Sequence, residues 1–319
     1  MLNSLFKILK CLILLIFLCL LYACEFSPYP WIGLSSENNN TGLFVAVGEN
    51  GKIWSSNDAI SWNESNPAGD TFNSIAYENG LLIAVGDNGQ IFYSNNGINW
   101  IDSSPGGNSL YGIAYGNGVY IAVGQNKQIW YSPNGITWKD IQAPGGTPLM
   151  AICYGSDRFI ALGHAGLVKW SLKGDIWNDP NSSYQVGVDV NRGITYDNGR
   201  YVIVCDLGKT WWSTEGTIGS WTESSPNGNT LNAIIYGNTR FVTVGDNGQA
   251  WWSYTANDTS WNNSSPNGNK LNAIIYGNGK FVAVGDNGQV WWSYSGNENS
   301  WNNASTGSSQ DIYGISFRP

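Results

Sequence analysis

The 319-residue sequence predicts an all-β protein: a seven-bladed β-propeller with four-stranded blades of about 40 residues, its ring closed by the C-terminal strand. Three observations support this prediction. Charged residues make up only 12% of the chain, whereas Gly (40), Trp (17) and Tyr (17) are abundant, which is typical of strands joined by tight turns. One motif occurs seven times along the chain. The end of the chain supplies a strand that the first repeat lacks.

The composition also excludes several classes of protein. The high aromatic content is incompatible with a disordered chain, and the glycines lack the period of three that collagen requires. The 15 basic residues are outnumbered by 23 acidic ones and form no basic patch, so we expect no nucleic-acid partner.

Residues 1–23 predict a signal peptide. Lys7 and Lys10 precede an unbroken apolar run, Cys11–Leu21, which is too short to cross a membrane. The sequence Leu-Tyr-Ala-Cys that ends at Cys24 resembles the signal of bacterial lipoproteins. The resemblance implies that the chain is cut before Cys24 and that fatty acyl chains on this cysteine anchor the protein to a membrane. The alternative is an ordinary cleaved signal followed by an incidental cysteine.

Two further regions follow the signal. Residues 24–41 predict a tether rich in Pro, Ser and Asn, and residues 42–319 predict the propeller domain. Without residues 1–23 the chain keeps 13 basic and 23 acidic residues, and too few cysteines for a disulfide framework. Cys153 and Cys205 are able to pair only with each other if Cys24 is acylated. Their repeat positions hold small residues elsewhere, which favours buried small side chains over a disulfide.

The repeats align on three positions. A Gly ends one strand (Cys205 replaces it in the fifth repeat), a Ser follows eight residues later, and a Trp closes each repeat. The serines are Ser56, Ser94, Ser132, Ser171, Ser213, Ser253 and Ser293, and the tryptophans are Trp62, Trp100, Trp138, Trp177, Trp221, Trp261 and Trp301.

The seventh repeat shows the elements of one blade. Leu271–Tyr276, Phe281–Val284 and Gln289–Ser293 predict three strands, and Trp301 marks a short fourth. An Asn-Gly pair at 287–288 predicts a tight turn between the second and third strands. Four strands in about 40 residues are typical of a propeller blade.

The two ends of the chain predict a closed ring. The first repeat begins at its second strand, and the missing first strand occurs at Asp311–Phe317, which matches Leu110–Tyr115 of the third repeat. Both termini then share one blade, which leaves no free sheet edge between the first and last blades. An open array or an added half-blade is the alternative.

Two sequence patterns carry a resemblance to known propellers. Ser94–Trp100 (SNNGINW) and Ser132–Trp138 (SPNGITW) resemble the Asp-box of sialidase-like propellers, and Ser56–Trp62 is a third copy with Ala for Gly. The frame Ile-Ala-Tyr-Gly-Asn-Gly…Ala-Val-Gly is similar to propellers of the photosystem II assembly-factor-like group. The resemblance covers residues 41–317 and implies the fold, whereas the function stays open because these folds host hydrolases, lectins and scaffolds.

The residues that carry chemistry predict no catalytic site, cofactor or metal. A sialidase requires an arginine triad, but Arg158, Arg200 and Arg240 fall at one repeated position, which we interpret as surface patterning. His164 is the single histidine, and no spacing typical of metal ligands occurs.

Two repeated features allow both a packing and a binding interpretation. Aromatic pairs occupy the third strands at 92–93, 130–131, 211–212, 251–252 and 291–292. We favour packing, because six exposed tryptophans would expose roughly 900 Å² of apolar surface, more than soluble monomers usually carry. Acids recur at one turn position, four times before Asn-Gly and a fifth time at Asp206, where a turn-capping role is favoured over a binding rim. These acids are Glu49, Asp87, Asp206, Asp246 and Asp286.

The fourth repeat and the linker after it depart most from the pattern. His164 and Trp170 replace the usual residues of the fourth repeat, and an insert at 181–192 brings Tyr184, Asp189 and Arg192. Because loops on rigid scaffolds carry recognition, these five residues are the candidate binding site. A tolerated loop insertion is the alternative.

The functional hypothesis is a non-catalytic, monomeric, lipid-anchored binding protein of the cell envelope, with the outer membrane or cell surface favoured. Its partners would be the membrane, through the lipid at Cys24, and a protein or glycan ligand, because Asn, Ser and Gly turns with little charge suit hydrogen bonding. The alternatives are an envelope scaffold or assembly factor and, more remotely, a sialidase-like glycoside hydrolase.

Overall fold

The computed structural model describes residues 42–67, 69–141, 147–178, 186–187, 189–217, 219–226, 228–257 and 260–319. These residues form seven antiparallel sheets, so the protein is a seven-bladed β-propeller, as predicted. The predicted signal peptide, Cys24 and the tether lie outside the described residues. The described segments contain no helix with the length and hydrophobicity that a membrane crossing requires.

The strands follow the chain blade by blade. Blade 1 contains β1 (Leu43–Gly48), β2 (Ile53–Ser56) and β3 (Asn63–Ser65), blade 2 contains β4 (Phe72–Glu78), β5 (Leu81–Gly86), β6 (Ile91–Ser94) and β7 (Ile101–Asp102), and blade 3 contains β8 (Leu110–Gly116), β9 (Val119–Gly124), β10 (Ile129–Ser132) and β11 (Lys139–Asp140). Blade 4 contains β12 (Leu149–Gly155), β13 (Arg158–Gly163) and β14 (Val168–Ser171), and blade 5 contains β15 (Asn191–Asp197), β16 (Arg200–Cys205), β17 (Thr210–Ser213) and β18 (Thr222–Glu223). Blade 6 contains β19 (Leu231–Gly237), β20 (Arg240–Gly245), β21 (Ala250–Ser253) and β22 (Asn262–Asn263), blade 7 contains β23 (Leu271–Gly277), β24 (Lys280–Gly285), β25 (Gln289–Ser293) and β26 (Asn302–Ser305), and β27 (Ile312–Arg318) ends the chain.

The C-terminal strand closes the ring. β27 pairs antiparallel with β1, from Leu43 opposite Arg318 to Gly48 opposite Ile312, so blade 1 is built from both ends of the chain. The ring of Phe317 lies 4.7 Å from that of Phe44. The predicted closure is therefore confirmed, with the strand starting one residue later than Asp311.

The hydrophobic core lies between the blades. Seven clusters of buried side chains occur in the described residues, and each joins two neighbouring blades. The second strands are buried along their length because a blade packs on each of their faces, which explains their continuous apolar sequences, such as LFVAVG in β1.

The aromatic pairs belong to this core, which confirms the packing interpretation. Trp211 packs in the cluster between blades 4 and 5, whereas Trp212 packs between blades 5 and 6. Trp291 and Trp292 likewise face opposite sides of blade 7. Neighbouring positions on a strand point to opposite faces, so each pair serves two interfaces.

Two of the three arginines at the repeated position, Arg200 and Arg240, bond to the next blade, so their interpretation as surface patterning was wrong. Four basic side chains stack on tryptophans of the third strands at 4.7 to 5.3 Å from the ring centroids; the pairs are Arg158–Trp170, Arg200–Trp212, Arg240–Trp252 and Lys280–Trp292. Arg200 Nη1 also donates to Asn257 Oδ1 of the next blade at 2.9 Å, and Lys280 Nζ donates to the Asp58 carbonyl at 2.8 Å. Arg240 is only 8% exposed.

Blade 4 differs from the prediction of four strands. It has three strands within the described residues, β12, β13 and β14. The Asn178 N–H donates to the Trp170 carbonyl at 3.0 Å, which continues the ladder by a single bond. Residues 179–185 follow directly and lie outside the described residues.

Cys153 and Cys205 are free, as the packing interpretation predicted. Cys205 is fully buried and its Sγ donates to Asn191 Oδ1 at 3.2 Å. Burial raises the pKa of both thiols, so both stay protonated at neutral pH and are weak nucleophiles.

The propeller has a top face and a bottom face. The top face carries the first residues of the inner strands and the turns between second and third strands. The bottom face carries the turns between first and second strands and the loops that run from the third-strand Ser to the closing Trp, called here the Ser-to-Trp loops.

Candidate functional site at the mouth of the central channel

The inner strands of the seven blades surround a narrow central channel of about 180 Å³. Their second residue lies at the top mouth, the third is small, and the fourth is Ile. The mouth residues are Asn73, Tyr111, Met150, Arg192, Asn232, Asn272 and Tyr313, and the small residues are Ser74, Gly112, Ala151, Gly193, Ala233, Ala273 and Gly314. The isoleucines are Ile75, Ile113, Ile152, Ile194, Ile234, Ile274 and Ile315.

The small residues are required by the convergence of seven strands on one axis. A Cβ atom on Gly193 would lie 3.2 Å from the Ala233 Cα of the next blade, and one on Gly314 would lie 3.1 Å from the Ser74 Cα. The channel below the mouth is therefore narrow. Side chains that differ from blade to blade occur at its mouth, which has a volume of about 220 Å³ and is also lined by Lys270.

In three blades the mouth residue is an Asn that ties two blades together. Asn272 Nδ2 donates to Asp286 Oδ1 in the turn of its own blade at 2.9 Å and to the Ile312 carbonyl of the next blade at 3.0 Å. Asn73 and Asn232 make the same two bonds, with distances of 2.9 to 3.0 Å. The turn acids of these blades thus accept hydrogen bonds from the mouth and do not form a free acidic rim.

Two other blades keep the pairing with a different donor. Arg192 Nε lies 2.6 Å from Asp206 Oδ1, and the Tyr313 hydroxyl donates to Glu49 Oε1 at 3.3 Å. Burial, reinforced by the charge of Glu49, raises the pKa of Tyr313, so the phenol stays neutral and continues to donate. Every blade with a turn acid therefore has a donor at the mouth.

Blades 3 and 4 lack this pairing. The turn position holds Gln125 and His164 instead of an acid, and the mouth holds Tyr111 and Met150. Within the described part of the chain no side-chain hydrogen bond ties these four residues to one another. Tyr111 and Met150 are half-buried at the mouth, and His164 is exposed. Burial, together with the nearby charge of Asp87, raises the pKa of Tyr111, so this phenol is also neutral at physiological pH.

Blade 5 contributes an exposed leucine with an unfavourable backbone conformation. The turns of five other blades place Asn in the left-handed region at this position, for example Asn88 at φ 57°. Leu207 takes that place at φ 59° and is 66% exposed. Because the left-handed region costs an ordinary residue about 1 kcal/mol, neither backbone geometry nor burial explains this leucine. Its neighbour Asp206 holds Arg192 at the mouth.

The structure brings three of the predicted binding residues together. His164 lies in the turn after β13, and Gly166 of that turn donates its N–H to the Asp189 carbonyl at 2.9 Å. The Asp189 carboxylate lies 2.7 Å from Lys209 Nζ. Arg192 lies at the mouth of the channel in blade 5. These residues occupy the top face of blades 4 and 5.

The other two predicted residues lie elsewhere. Trp170 lies towards the bottom end of β14, where its ring contacts the Arg158 guanidinium at 5.3 Å, so the fold separates it from the mouth. Tyr184 lies outside the described residues. Sequence reasoning missed Tyr111, Met150 and Leu207, although the departure of Asp206-Leu-Gly from the recurring Asp-Asn-Gly marks Leu207. The described residues contain no group of His, Cys, Asp and Glu side chains that would hold a metal ion.

Comparisons with known proteins support the fold. The family described as the DUF6242 beta propeller domain matches residues 32–158. Among solved structures, the WD40 beta propeller domain of Doa1 is similar with a TM-score of 0.62 and 14% identity, covering 76% of this chain and 85% of that chain. YCF48 bound to D1 peptide has a TM-score of 0.60 and 13% identity, covering 87% and 88%. The computationally designed Ika8 protein has a TM-score of 0.60 and 9% identity, covering 85% and 96%. No curated protein matches the sequence.

Proposed function

We propose that the protein is a non-catalytic binding protein that holds an extended segment of another protein at the top mouth of its channel, over blades 3 to 5. One observation carries the proposal: the pairing of mouth donor with turn acid is present in five blades and absent in blades 3 and 4, next to the exposed Leu207. Repeat proteins keep the residues that hold their repeats together, so a local departure that leaves polar and apolar side chains accessible indicates binding.

The chemistry of this sector suits a peptide. Leu207 and Met150 offer apolar contacts, Tyr111 and His164 offer hydrogen bonds, and the Arg192 guanidinium is placed to contact a carboxylate or a backbone carbonyl of the ligand. A likeness to the structure of YCF48 bound to D1 peptide shows that a propeller of similar shape accepts a peptide. Hydrolysis of a glycoside requires two accessible carboxyl groups, whereas Asp87, Asp206 and other turn acids of the mouth are bonded to donors.

The proposal includes attachment to the cell envelope. The signal at residues 1–23 and the cysteine after it support export and acylation of Cys24, and residues 24–41 join that cysteine to the propeller. Mass spectrometry of the purified protein should find acyl chains on Cys24, and Cys24→Ser should move the protein out of the membrane fraction. Protease treatment of whole cells then tests the outer membrane or cell surface as the location.

The ligand class is tested by presenting the purified propeller to a displayed library of random peptides and to a glycan array. We expect the library to yield binders and the array to be silent. Arg192→Gln and Leu207→Asn should each weaken binding of the selected peptides by about tenfold, as expected for contacts near the centre of an interface. Ile98→Asn on the bottom face is the matched control and should bind as the unmodified protein does. Glycan binding, or peptide binding indifferent to both mouth variants, would contradict the proposal.

A further inference from the structure

The bottom face carries an unusual set of exposed apolar side chains. Nine large hydrophobic residues are exposed in the described part of the chain, and seven of them lie on Ser-to-Trp loops. These seven are Ile60, Ile98, Ile136, Leu172, Ile176, Tyr254 and Tyr294. They come from six of the seven blades, with Ile98 at 67% and Ile176 at 77% exposure. Because they come from loops of six blades, these side chains provide contact points for an extended surface and not for a pocket.

The loops hold these side chains outward on a rigid backbone. The Ile98 N–H donates to Asn96 Oδ1 at 2.9 Å, and the N–H groups of Ile60 and Ile136 donate to the equivalent oxygens of Asp58 and Asn134 at 2.8 and 3.0 Å. These bonds use only the backbone of the isoleucines, so the loop does not require an apolar side chain there.

The other four blades show that the fold does not need an isoleucine at this place. The residue two positions before the closing Trp is Ile in blades 1 to 3, but Asp175, Gly219, Thr259 and Asn299 in blades 4 to 7. The exposed apolar groups of blades 4, 6 and 7 come from other positions of the same loop; they are Leu172, Ile176, Tyr254 and Tyr294. The loops thus expose apolar side chains on the same face from different loop positions. This indicates that the bottom face as a whole forms a contact surface.

The chain enters the propeller on this same face. β1 is the second strand of its blade and runs from the bottom face to the top, and the Gly42 carbonyl before it accepts a hydrogen bond from Asn57 Nδ2 of the first Ser-to-Trp loop at 3.5 Å. The 17 residues 25–41 join this point to Cys24. Seventeen residues with random-coil dimensions would span roughly 20–25 Å, a distance that keeps the bottom face within reach of the bilayer that holds Cys24.

Charge does not explain a membrane contact of this face. The basic residues at its repeated position, from Arg158 to Lys280, are stacked on tryptophans, and exposed Lys173 is outnumbered by the exposed acids Asp157, Asp175 and Asp197. Attraction to a bilayer would therefore come from apolar side chains and be insensitive to lipid charge.

We propose that the bottom face of the propeller rests on the bilayer, with the exposed side chains of the Ser-to-Trp loops inserted among the lipid headgroups and the top mouth facing away from the membrane. The inference rests on the lipid anchor of the proposed function. It adds an orientation, because a lipid anchor at Cys24 does not by itself fix which face of the propeller lies towards the membrane.

The test compares two labelled positions of nearly equal exposure on opposite faces, Ile98 (67%) and Leu207 (66%). The acylated full chain carrying Ile98→Cys or Leu207→Cys is labelled with NBD and placed in phosphatidylcholine vesicles containing lipids with nitroxide-labelled acyl chains. The thiols of Cys153 and Cys205 react slowly because desolvation raises their pKa values, and acylated Cys24 does not react. We expect quenching at position 98 to exceed that at position 207 by about threefold or more, and to be unchanged when phosphatidylglycerol is added. Equal quenching at the two positions would overturn the inference.

A second variant distinguishes insertion into lipid from contact between two copies of the protein. Replacing Ile60, Ile98, Ile136 and Ile176 by Asn should reduce quenching of a label at Leu172→Cys by about threefold, while the melting temperature stays within a few degrees because all four side chains are exposed. Shielding of position 98 without quenching, together with cross-linked dimers, would show that a second copy covers this face and would contradict the inference. Mass spectrometry of Cys24 in the same sample distinguishes this failure from absence of the anchor.

Discussion

Blades 6 and 7 resemble each other far more closely than blades 3 and 4 resemble either of them, and the difference separates residues that maintain the fold from residues free to bind. Residues 229–254 and 269–294 are identical at 21 of 26 positions. Both blades have an Asn at the mouth bonded to the turn Asp and to the next blade. Blades 3 and 4 have inter-blade clusters of the same kind without this pairing. The ring therefore tolerates the loss of two such links.

The stability of the disc comes mainly from the packing of neighbouring blades. The apolar clusters between blades are present at all seven interfaces of the described residues, whereas the mouth links vary from blade to blade. Loss of the pairing between mouth donor and turn acid is thus compatible with folding. We expect loss of an apolar cluster to lower the free energy of unfolding far more.

The largest effect is expected from opening the ring, which removes part of an apolar cluster together with the Tyr313–Glu49 hydrogen bond. Deleting residues 311–319 removes Ile312, which is fully buried, and Phe317, which packs on Phe44. Loss of these side chains and of one strand should lower the free energy of unfolding by about 5 kcal/mol or more and the melting temperature by about 10 °C. Deleting the exposed Pro319 alone is the control. A truncated protein that melts like the full chain would refute closure by β27.

A smaller loss is expected from removing one link in blade 7. Asn272→Ala leaves the Asp286 carboxylate and the Ile312 carbonyl without their donor, so we expect a loss of about 1–3 kcal/mol in chemical denaturation. Met150→Ala in blade 4 removes no hydrogen bond and should cost less than this. Equal losses of stability for the two substitutions would show that the hydrogen bonds of Asn272 do not stabilise the fold.

The blades also differ in their response to alkaline pH. Tyr120 in β9 takes a position that holds Phe in blades 4, 6 and 7, and its hydroxyl donates to the Glu78 carbonyl of blade 2 at 2.7 Å. Burial, followed by the charges of Tyr115 and Glu78, raises the pKa of Tyr120 from 10.0 to about 12. The folded state therefore holds this proton more tightly than the unfolded state, so its contribution to stability is complete below pH 10 and is lost as the pH rises from 10 to 12.

The check is a series of urea denaturation curves between about pH 8 and 12, recorded for the unmodified protein and for Tyr120→Phe. The variant should lose less stability across that interval, since one of the protons that links unfolding to pH is gone. Parallel curves for the two proteins would assign the alkaline loss to other groups.

The smallest effect is expected at Leu207, and its sign is the informative part. Leu207→Asn restores the residue that other turns place in the left-handed region, so we expect a gain of about 0.5–1 kcal/mol in the free energy of unfolding. Asn88→Leu in blade 2 is the reverse change at the matched position and should lose a similar amount. A destabilising Leu207→Asn would mean that the leucine serves the fold.

Most of the fold was predictable from the sequence because propeller repeats impose strict local patterns. The invariant spacing from Gly to Ser, the aromatic pairs and the strand at 311–317 predicted the blades, the packing and the closure. The fourth strand of blade 4 was predicted but is not observed among the described residues. Lys173 stands where Asp58 or Asn96 organises the loops of blades 1 and 2, and residues 142–146 and 179–185 flank this blade outside the described residues.

The candidate site was predictable only in part. The rarity of His164 and the insert before Arg192 indicated blades 4 and 5, and the fold places both on the top face. Tyr111 and Met150 were missed because the sequence does not show what the equivalent Asn does in other blades. That Asn bonds to an acid 14 residues later and to the next blade, and within the described residues Tyr111 and Met150 lack both bonds. These bonds form only when the inner strands of neighbouring blades meet around the channel.

The most direct test of the central claim is to rebuild the missing pair in blade 4 and measure peptide binding. Met150→Asn with His164→Asp gives this blade the residues of blades 6 and 7, with the Asn191 carbonyl of β15 as the inter-blade acceptor. We expect a melting temperature equal to or above that of the unmodified protein, while affinity for the peptides selected by the unmodified propeller, measured by calorimetry, falls by about tenfold or more. A rebuilt protein that is folded and binds those peptides with unchanged affinity would contradict the assignment of the mouth sector as the binding site.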